Sequence, residues 1–219
     1  RYDDCIIYKT LEFLKLNNNL NVEINIEKNI PVQGGLGSAS TNAAALIQGL
    51  EKMHVIDKRN YRDYGALGAD IPCFLFNNNC LVAGIGERIF PKKFPKYYFL
   101  IVKPSFNNST REMYQKLNLK YNSLEEVIST NENQINEHDT GNDFEKIVFN
   151  EHENFIEIYK FLNNLDNSIF SRMTGSGSCF YAVFEKKEHA ILASKIFKLN
   201  YKNLWICVAE NNIINNHDI

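Results

Sequence analysis

The sequence is poor in the residues that build disulfide frameworks and structural metal sites. It contains five cysteines and five histidines, with no C-x-x-C and no H-E-x-x-H among them. An odd number of cysteines at unrelated spacings argues against a disulfide scaffold. We expect five reduced thiols, at Cys5, Cys73, Cys80, Cys179 and Cys207. A structural metal site is not expected, and no residue is assigned as a metal ligand.

Long apolar runs and an excess of positive charge are also missing. The longest apolar run, around residues 97–102, has the length of a buried strand and is too short to cross a membrane. Lysine and arginine number 24 against 26 aspartates and glutamates, so the net charge is −2. This balance provides no basic surface and disfavours nucleic acid as the main partner.

The remaining composition is that of an ordinary globular protein, although the chain begins at Arg1 without a signal peptide. We interpret it as a fragment. Its 219 residues, 44% of them hydrophobic, suffice for one large domain or two small ones. A new buried strand follows the connection at residues 91–95. This strand predicts a division into residues 1–95 and 96–219.

Glycine is sparse, with 11 residues, but three fall between positions 34 and 37 in the stretch I-P-V-Q-G-G-L-G-S-A-S-T-N-A-A, residues 30–44. A helical run follows, with Ala43, Leu46, Ile47, Leu50 and Met53 on one face. Glycines that lead into a helix N-terminus build an anion site from N–H groups and the helix dipole, so we predict a phosphate chain as ligand. The Walker pattern is excluded because it requires a lysine just before the helix. A ligand-free turn before a core helix is the alternative.

A second informative stretch, G-A-L-G-A-D-I-P-C-F-L-F, covers residues 65–76. Asp70 stands at the start of its apolar run, where a carboxylate needs a reason to be present. One interpretation, which the sequence alone favours, is a helix cap or an Asx-turn before Pro72. The other is a carboxylate that orients or deprotonates an acceptor hydroxyl.

The other elements predict an α+β fold. Alternation in N-V-E-I-N-I-E predicts a half-buried strand with Val22, Ile24 and Ile26 on one face. The tetrapeptide G-I-G-E at residues 84–87 predicts a hairpin turn, and M-T-G-S-G-S-C-F-Y-A-V-F predicts a polar glycine elbow before a strand. In the second half, the order strand, helix, helix, strand, helix, strand predicts a ferredoxin-like layer of helices on an antiparallel sheet.

Several motifs together resemble one superfamily: the glycine-rich loop, G-A-D-I-P-C-F-L-F, G-I-G-E, V-K-P-S-F-N-N-S-T-R-E-M-Y and S-R-M-T-G-S-G-S-C-F-Y-A. In this order they are similar to the GHMP kinases, which include galacto-, homoserine, mevalonate and phosphomevalonate kinases. They most resemble the branch that uses ATP to phosphorylate a cytidine-diphosphate-linked methylerythritol in the non-mevalonate isoprenoid route. The resemblance implies an N-terminal β-α-β kinase domain, incomplete here, and a ferredoxin-like C-terminal domain.

The resemblance also implies roles for individual residues. It makes Asp70 the catalytic aspartate and Tyr114 a ring that stacks on cytosine, with Gly175, Ser176 and Gly177 in the substrate site. It makes one continuous loop the ATP phosphate site: Pro31, Val32, Gln33, Gly34, Gly35, Leu36, Gly37, Ser38, Ala39, Ser40 and Thr41. The implied cofactors are ATP and magnesium, and the implied partner is a small-molecule substrate, with no nucleic acid and no membrane. The implied compartment is a plastid-type organelle in a eukaryote or the cytoplasm in a bacterium.

The chain departs from the family pattern in two ways. Gln33 and Ala39 stand where the family usually has glycine or another tiny residue. In addition, nothing at the start of the chain matches the family's Pro-x-Lys-x-Asn strand and Gly-Tyr-His element, which supply the catalytic lysine and part of the substrate pocket. We therefore expect a fragment that lacks the catalytic lysine region. This leaves open a non-catalytic nucleotide-binding remnant, or another GHMP kinase of the homoserine or mevalonate type.

Overall fold

The computed structural model describes residues 5–16, 21–117 and 141–211. The chain forms two compact units. The first contains Arg1–Asn29 and Gly37–Lys92, and the second contains Ile30–Leu36 and Lys93–Ile219. Within the described ranges, no helix is long and apolar enough to cross a membrane. The division into domains after residue 95 stays a prediction.

The first unit combines helices with one hairpin. Its elements are α1 (Ile6–Phe13), α2 (Ser38–Lys52), a 3₁₀ turn (Tyr61–Tyr64), α3 (Ile71–Phe76), β1 (Cys80–Ala83) and β2 (Arg88–Pro91). The apolar face of α2 supplies much of the core, where Ala43, Ile47 and Leu50 are buried together with Tyr64. Met53 was predicted on the same face but is 56% exposed, because α2 ends at Lys52.

β1 and β2 form an antiparallel hairpin in which Cys80 pairs with Pro91. The turn predicted at residues 84–87 is confirmed. The Glu87 carboxylate accepts a hydrogen bond from the Ile85 N–H at 2.7 Å, which closes the turn. The hairpin therefore fixes the position of β1, the first strand after α3.

The strand predicted at residues 22–26 is wrong. Residues 21–29 belong to no helix or strand, and Val22, Ile24 and Ile26 are 36%, 37% and 42% exposed. A strand is stable only when its backbone N–H and C=O groups pair with a neighbour. No strand in the described part of the chain pairs with this segment. The segment therefore has the side-chain alternation of a strand but, in the described part of the chain, no neighbouring strand to pair with.

The second unit is an antiparallel sheet with helices packed on it. Its strands are β3 (Tyr98–Lys103), β4 (Ser171–Met173), β5 (Phe180–Phe184) and β6 (Trp205–Glu210). Its helices are α4 (Thr110–Lys116), α5 (Glu145–Glu151), α6 (Glu153–Asn163) and α7 (Lys187–Asn200). The strand order is β4-β5-β3-β6, and every neighbouring pair is antiparallel. This βαββαβ arrangement confirms the predicted α+β class and its ferredoxin-like sheet, although the predicted order of elements lacked the short strand β4.

The core of the second unit follows the two-residue period of its central strands. Leu100 and Val102 of β3 are fully buried and belong to the same cluster as Phe180 of β5. Leu162 of α6 and Phe197 of α7 close this face of the sheet. Because successive strand residues face opposite sides, the intervening positions pack into a second, smaller cluster.

Side chains cover the outer edge of β4, the edge strand that leads into the glycine elbow. The Ser171 N–H donates to Asn163 Oδ1 at 3.2 Å. The Met173 N–H donates to Glu145 Oε1 at 2.7 Å, and the Met173 carbonyl accepts from Asn142 Nδ2 at 2.8 Å. Unpaired strand edges are available for unwanted pairing. These contacts satisfy that edge and hold the start of the elbow in place.

Candidate functional site

The N-terminus of α2 follows the glycine-rich stretch and has open hydrogen-bond donors. Its first backbone bond joins the Thr41 N–H to the Gly37 carbonyl at 2.9 Å, and the Thr41 hydroxyl donates to the same oxygen at 3.0 Å. The N–H groups before Thr41 have no acceptor within the helix. Among the described residues, the hydroxyls of Ser38 and Ser40 also have no hydrogen-bond partner. Free donors at the positive end of a helix dipole bind anions.

Gly37 is required by packing as well as by backbone conformation. It is the N-cap of α2 and has φ 64°, which L-residues with a side chain rarely adopt. A β-carbon at this position would lie 2.5 Å from Cζ of Phe74 in α3. The family resemblance placed this glycine in the ATP phosphate loop. A substitution at Gly37 therefore disturbs the contact with α3 and cannot report phosphate binding alone.

Asp70 occupies the N-cap position of α3, but its carboxylate does not cap the helix. The side chain makes no capping hydrogen bond, and the residue is exposed. The Phe74 N–H donates to the Asp70 backbone carbonyl at 3.2 Å, so the two residues are one helical turn apart. The ring of Phe74 packs against Gly37, so the helix that begins after Asp70 contacts the α2 N-terminus within the first unit. The capping interpretation thus lacks its hydrogen bond, and the catalytic role stays a prediction.

The segment Ile30–Leu36 is held by the glycine elbow of the second unit. The carbonyls of residues 33–35 each accept a hydrogen bond from it: from the Ser178 N–H at 3.1 Å, the Cys179 N–H at 3.0 Å and the Thr174 hydroxyl at 2.9 Å. Gly35 and Gly175 are in close contact, since a β-carbon on Gly175 would lie 2.9 Å from the Gly35 carbonyl oxygen. The elbow therefore fixes the conformation of this part of the predicted phosphate loop.

Gln33 shows why the family's usual glycine matters at its position. Its φ is 54°, in the left-handed region. Glycine adopts this conformation without strain, whereas a residue with a β-carbon pays about 1–2 kcal/mol. The hydrogen bond from Ser178 to the Gln33 carbonyl helps to keep the backbone there. The structure thus accommodates glutamine while retaining the conformation that favours glycine.

A second layer of contacts supports the elbow. Asn108 Nδ2 donates to the Ser176 carbonyl at 3.1 Å, and the Thr110 and Ser176 hydroxyls are 2.8 Å apart. The Ser178 hydroxyl donates to the Phe106 carbonyl at 2.7 Å. Ser176, predicted to bind substrate, is only 7% exposed, and its hydroxyl is paired with protein. Its observed contacts therefore shape the elbow.

Lys103 anchors the loop that follows β3, a role that sequence reasoning missed. The residue is buried, and Nζ donates to the Phe106 carbonyl at 2.5 Å, to Asn107 Oδ1 at 2.9 Å and to the Pro104 carbonyl at 3.1 Å. Burial lowers its pKa, an effect opposed by the charge of Cys179. The one available signal was a lysine at the end of an apolar strand, immediately before a proline.

Tyr114 lines a cavity of about 450 Å³ in the second unit. Its ring is 59% exposed and meets Phe144 edge to face, with centroids 5.1 Å apart. Gly175 lines the same cavity, whereas Ser176 and Gly177 do not. The ring of Tyr114 therefore contacts Phe144 edge to face, and the rest of its surface remains open to the cavity. Its role in substrate binding stays a prediction.

Three further cavity residues were missed by sequence reasoning. Asn142 Nδ2 donates to the carbonyls of Met173 and Gly175, both at 2.8 Å, and so connects the cavity wall to the elbow. Asp143 lies beside Asn142 in the wall. Arg172 donates to the Tyr159 hydroxyl at 3.0 Å. Such partners are distant in sequence, and no local pattern identifies them.

Comparison with known proteins identifies the family. Profiles described as GHMP kinases N terminal domain and GHMP kinases C terminal match residues 6–78 and 121–203. A 4-diphosphocytidyl-2-C-methyl-D-erythritol kinase from Neisseria meningitidis serogroup C (strain 053442) is 33% identical over 176 residues, 79% of this chain and 60% of that protein. The protein of the same name from Francisella tularensis subsp. tularensis (strain FSC 198) is 32% identical over 202 residues, 89% of this chain and 70% of that protein.

The fold comparison agrees. A crystal structure of 4-(cytidine 5'-diphospho)-2C-methyl-D-erythritol kinase matches with a TM-score of 0.75 at 23% identity, covering 95% of this chain and 79% of that chain. The present chain spans 60% and 70% of the length of the two curated relatives. Both family profiles occur in it, in the same order as the two expected domains. The chain therefore belongs to the GHMP kinases.

Proposed function

We propose that this chain is part of an ATP-dependent kinase that phosphorylates the tertiary hydroxyl of 4-diphosphocytidyl-2-C-methyl-D-erythritol. One observation of the structure carries the proposal most directly. The open N-terminus of α2 contacts Phe74 at Gly37, and Phe74 is one helical turn from the free carboxylate of Asp70. An anion site close to an unpaired carboxylate is what transfer of phosphate to a hydroxyl requires.

The α2 N-terminus is the proposed position of the ATP phosphates. Its N–H groups and dipole favour negative charge. In the part of the chain that the structure describes, the hydroxyls of Ser38 and Ser40 make no hydrogen bond, whereas the Thr41 hydroxyl donates to the Gly37 carbonyl. A prearranged set of donors stabilises the charge that develops during transfer without reorganising at that moment.

The donor set also fits magnesium, the second proposed cofactor. In the described ranges no group of three or more histidine, cysteine, aspartate or glutamate side chains could hold a metal ion. Magnesium commonly keeps several waters and binds substrate phosphates with only one or two protein oxygens. Ser38, Ser40 and Asp70 are the oxygen donors available for this purpose. Bound there, the ion would neutralise charge on the transferred phosphoryl group.

We propose that Asp70 accepts the proton of, or orients, the acceptor hydroxyl. Among the residues that the structure describes, its carboxylate makes no hydrogen bond or ion pair. It is exposed, so a substrate hydroxyl has access to it. A positioned general base contributes about 10²–10⁴-fold to a rate. In the second unit, the open surface of Tyr114 is the proposed platform for cytosine, because aromatic faces stack on bases.

The test compares Asp70→Asn with Asp57→Asn in the protein together with any native residues that precede Arg1. Asp57 is an exposed carboxylate in the same unit and serves as the matched control. Asp70→Asn should lower turnover about 10²-fold or more while ATP affinity changes little, because it removes the base without altering the α2 N-terminus. Asp57→Asn should match the wild type. Equal turnover in both variants would overturn the role of Asp70.

A substrate panel tests the identity of the acceptor. The same protein is supplied with ATP and with the cytidine-linked alcohol, mevalonate or homoserine in separate assays. We expect phosphorylation of the cytidine-linked alcohol alone. Phosphorylation of mevalonate or homoserine instead would show another GHMP activity. ATP binding with no product from any of the three would indicate a non-catalytic nucleotide-binding protein.

A further inference from the structure

Cys73 of α3 and Cys80 of β1 bring their sulfur atoms together in the first unit. The two Sγ atoms are 3.5 Å apart and both side chains are half-buried. Cys5 is exposed, Cys179 is buried and Cys207 is half-buried, all three without a cysteine partner among the described residues. The juxtaposition therefore singles out one pair of thiols that remain within reach of solvent.

The pair is a product of the local fold. α3 ends at Phe76, and the C-cap residue Asn77 adopts a left-handed conformation with φ 54° that reverses the chain. A short connection leads to β1, which pairs with β2 through Cys80 and Pro91. The helix and the hairpin thus hold the two cysteines on adjoining elements, seven positions apart in sequence.

The contact also changes the acidity of the thiols. The hydrogen bond between the two thiols lowers the pKa of Cys73 to about 7, against burial and the nearby charge of Asp70, which both act to raise it. The same hydrogen bond raises the pKa of Cys80. The thiolate is the nucleophile in disulfide exchange, and a thiol with a pKa near ambient pH attacks most efficiently. We therefore take Cys73 as the attacking thiol and Cys80 as the resolving thiol.

We propose that Cys73 and Cys80 form a redox modification site, which reacts with a small-molecule disulfide and closes a reversible intrachain disulfide. The proposal rests on the position of the two sulfurs and is independent of the kinase function. The sulfurs need to approach by about 1.5 Å to reach bonding distance, a movement within the range of side-chain rotation.

The reaction proceeds in two exchanges. The Cys73 thiolate attacks one sulfur of the reagent R–S–S–R, the reagent bond breaks, and RS⁻ leaves and takes a proton from solvent. The Cys80 thiol then loses its proton and attacks Sγ of Cys73, which expels the second RS⁻. Two protein thiols are oxidised by two electrons in total, and one reagent disulfide is reduced to two thiols. Since α3 begins directly after Asp70, the new bond would also restrain the segment that carries this carboxylate.

The experiment uses the full chain and oxidised glutathione as the reagent. After incubation, remaining thiols are alkylated, the intact mass is measured, and a proteolytic digest is mapped with and without dithiothreitol. We expect loss of two hydrogen atoms, three alkylated cysteines where the reduced chain has five, and a linked peptide pair containing Cys73 and Cys80. Dithiothreitol should restore both thiols.

Single variants separate this pair from the other cysteines. Cys5→Ser should leave the linked peptide unchanged, because Cys5 is not part of the pair. Cys80→Ser should instead retain glutathione on Cys73, since the resolving thiol is missing. The wild-type peptide map decides the question even where a variant is too unstable to purify. Glutathione on Cys5 while Cys73 and Cys80 are both alkylated would overturn the proposal, as would a disulfide that joins other cysteines.

Discussion

Gly35→Ala tests the contact between the segment Ile30–Leu36 and the glycine elbow, both in the second unit. A β-carbon at Gly35 would lie 2.2 Å from the Thr174 carbonyl oxygen and 2.9 Å from the Gly177 N and O atoms. These are backbone atoms, which cannot rotate away as a flexible side chain can. Gly35 also has φ 71°, where alanine is strained by about 1–2 kcal/mol.

The expected change in the free energy of unfolding combines two destabilising effects and one that offsets them. Overpacking against fixed atoms costs about 1–3 kcal/mol, in addition to the backbone strain. The lower entropy of the unfolded alanine chain offsets about 0.4–1 kcal/mol. We expect a net loss of about 1–5 kcal/mol in the free energy of unfolding of the second unit. The same substitution at Gly49 in α2 should stabilise by about 0.5–1 kcal/mol, because nothing lies within 4 Å of its β-carbon.

Urea unfolding measures both variants in the whole chain. Trp205 is the single tryptophan and lies in β6, so its fluorescence reports the second unit. Far-UV circular dichroism follows the helices, including α2. Gly35→Ala should shift the fluorescence midpoint to lower urea, whereas Gly49→Ala should shift the dichroism midpoint to higher urea. A Gly35→Ala protein as stable as the wild type, beside a stabilised Gly49→Ala, would refute the packing of Gly35 against the elbow.

Two further predictions concern Glu145 and Tyr114. Burial raises the pKa of Glu145, against the Met173 N–H bond and the charge of Arg172, so its folded pKa lies above the ordinary 4.5. The folded state then binds the proton more tightly, and the free energy of unfolding should fall as pH rises from 4.5 through the folded pKa. Glu145→Gln should flatten this dependence of the free energy of unfolding on pH. Urea titrations at several pH values measure it, and equal pH slopes for the variant and the wild type would contradict the prediction. Tyr114→Ala should weaken binding of the cytidine-linked alcohol by about 10-fold or more without changing ATP affinity, and Tyr114→Phe should be nearly silent. If calorimetry gives the same affinity of Tyr114→Ala and Tyr114→Phe for the cytidine-linked alcohol, the cytosine binds elsewhere.

The sequence by itself determined the elements that depend on local chemistry. The helical period in residues 42–50 predicted the buried face of α2, and the apolar run around residues 97–102 predicted the buried strand β3. The order of the glycine-rich loop, the Asp70 stretch and the elbow carried the family resemblance. These features could be predicted because side-chain period and turn chemistry are properties of a short segment.

Tertiary structure decided everything that required a distant partner. Residues 22–26 have the period of a strand, yet in the described chain they pair with no neighbour. Asp70 stands at an N-cap, and only the structure shows that its carboxylate makes no capping bond. The ring of Phe74 gives a packing reason for Gly37 that the sequence did not reveal.

The same reasoning applies to the polar contacts at the edge of β4 and in the loop after β3, and to the thiols. Asn142 and Glu145 cover the edge of β4, and Lys103 holds three oxygens of the following loop. Cys73 and Cys80 were interpreted as unrelated thiols, although their sulfurs are 3.5 Å apart. Each contact joins groups whose spacing in sequence has no characteristic period. Their pairing is set by how the elements pack, because a hydrogen bond or a sulfur contact depends on distance in space.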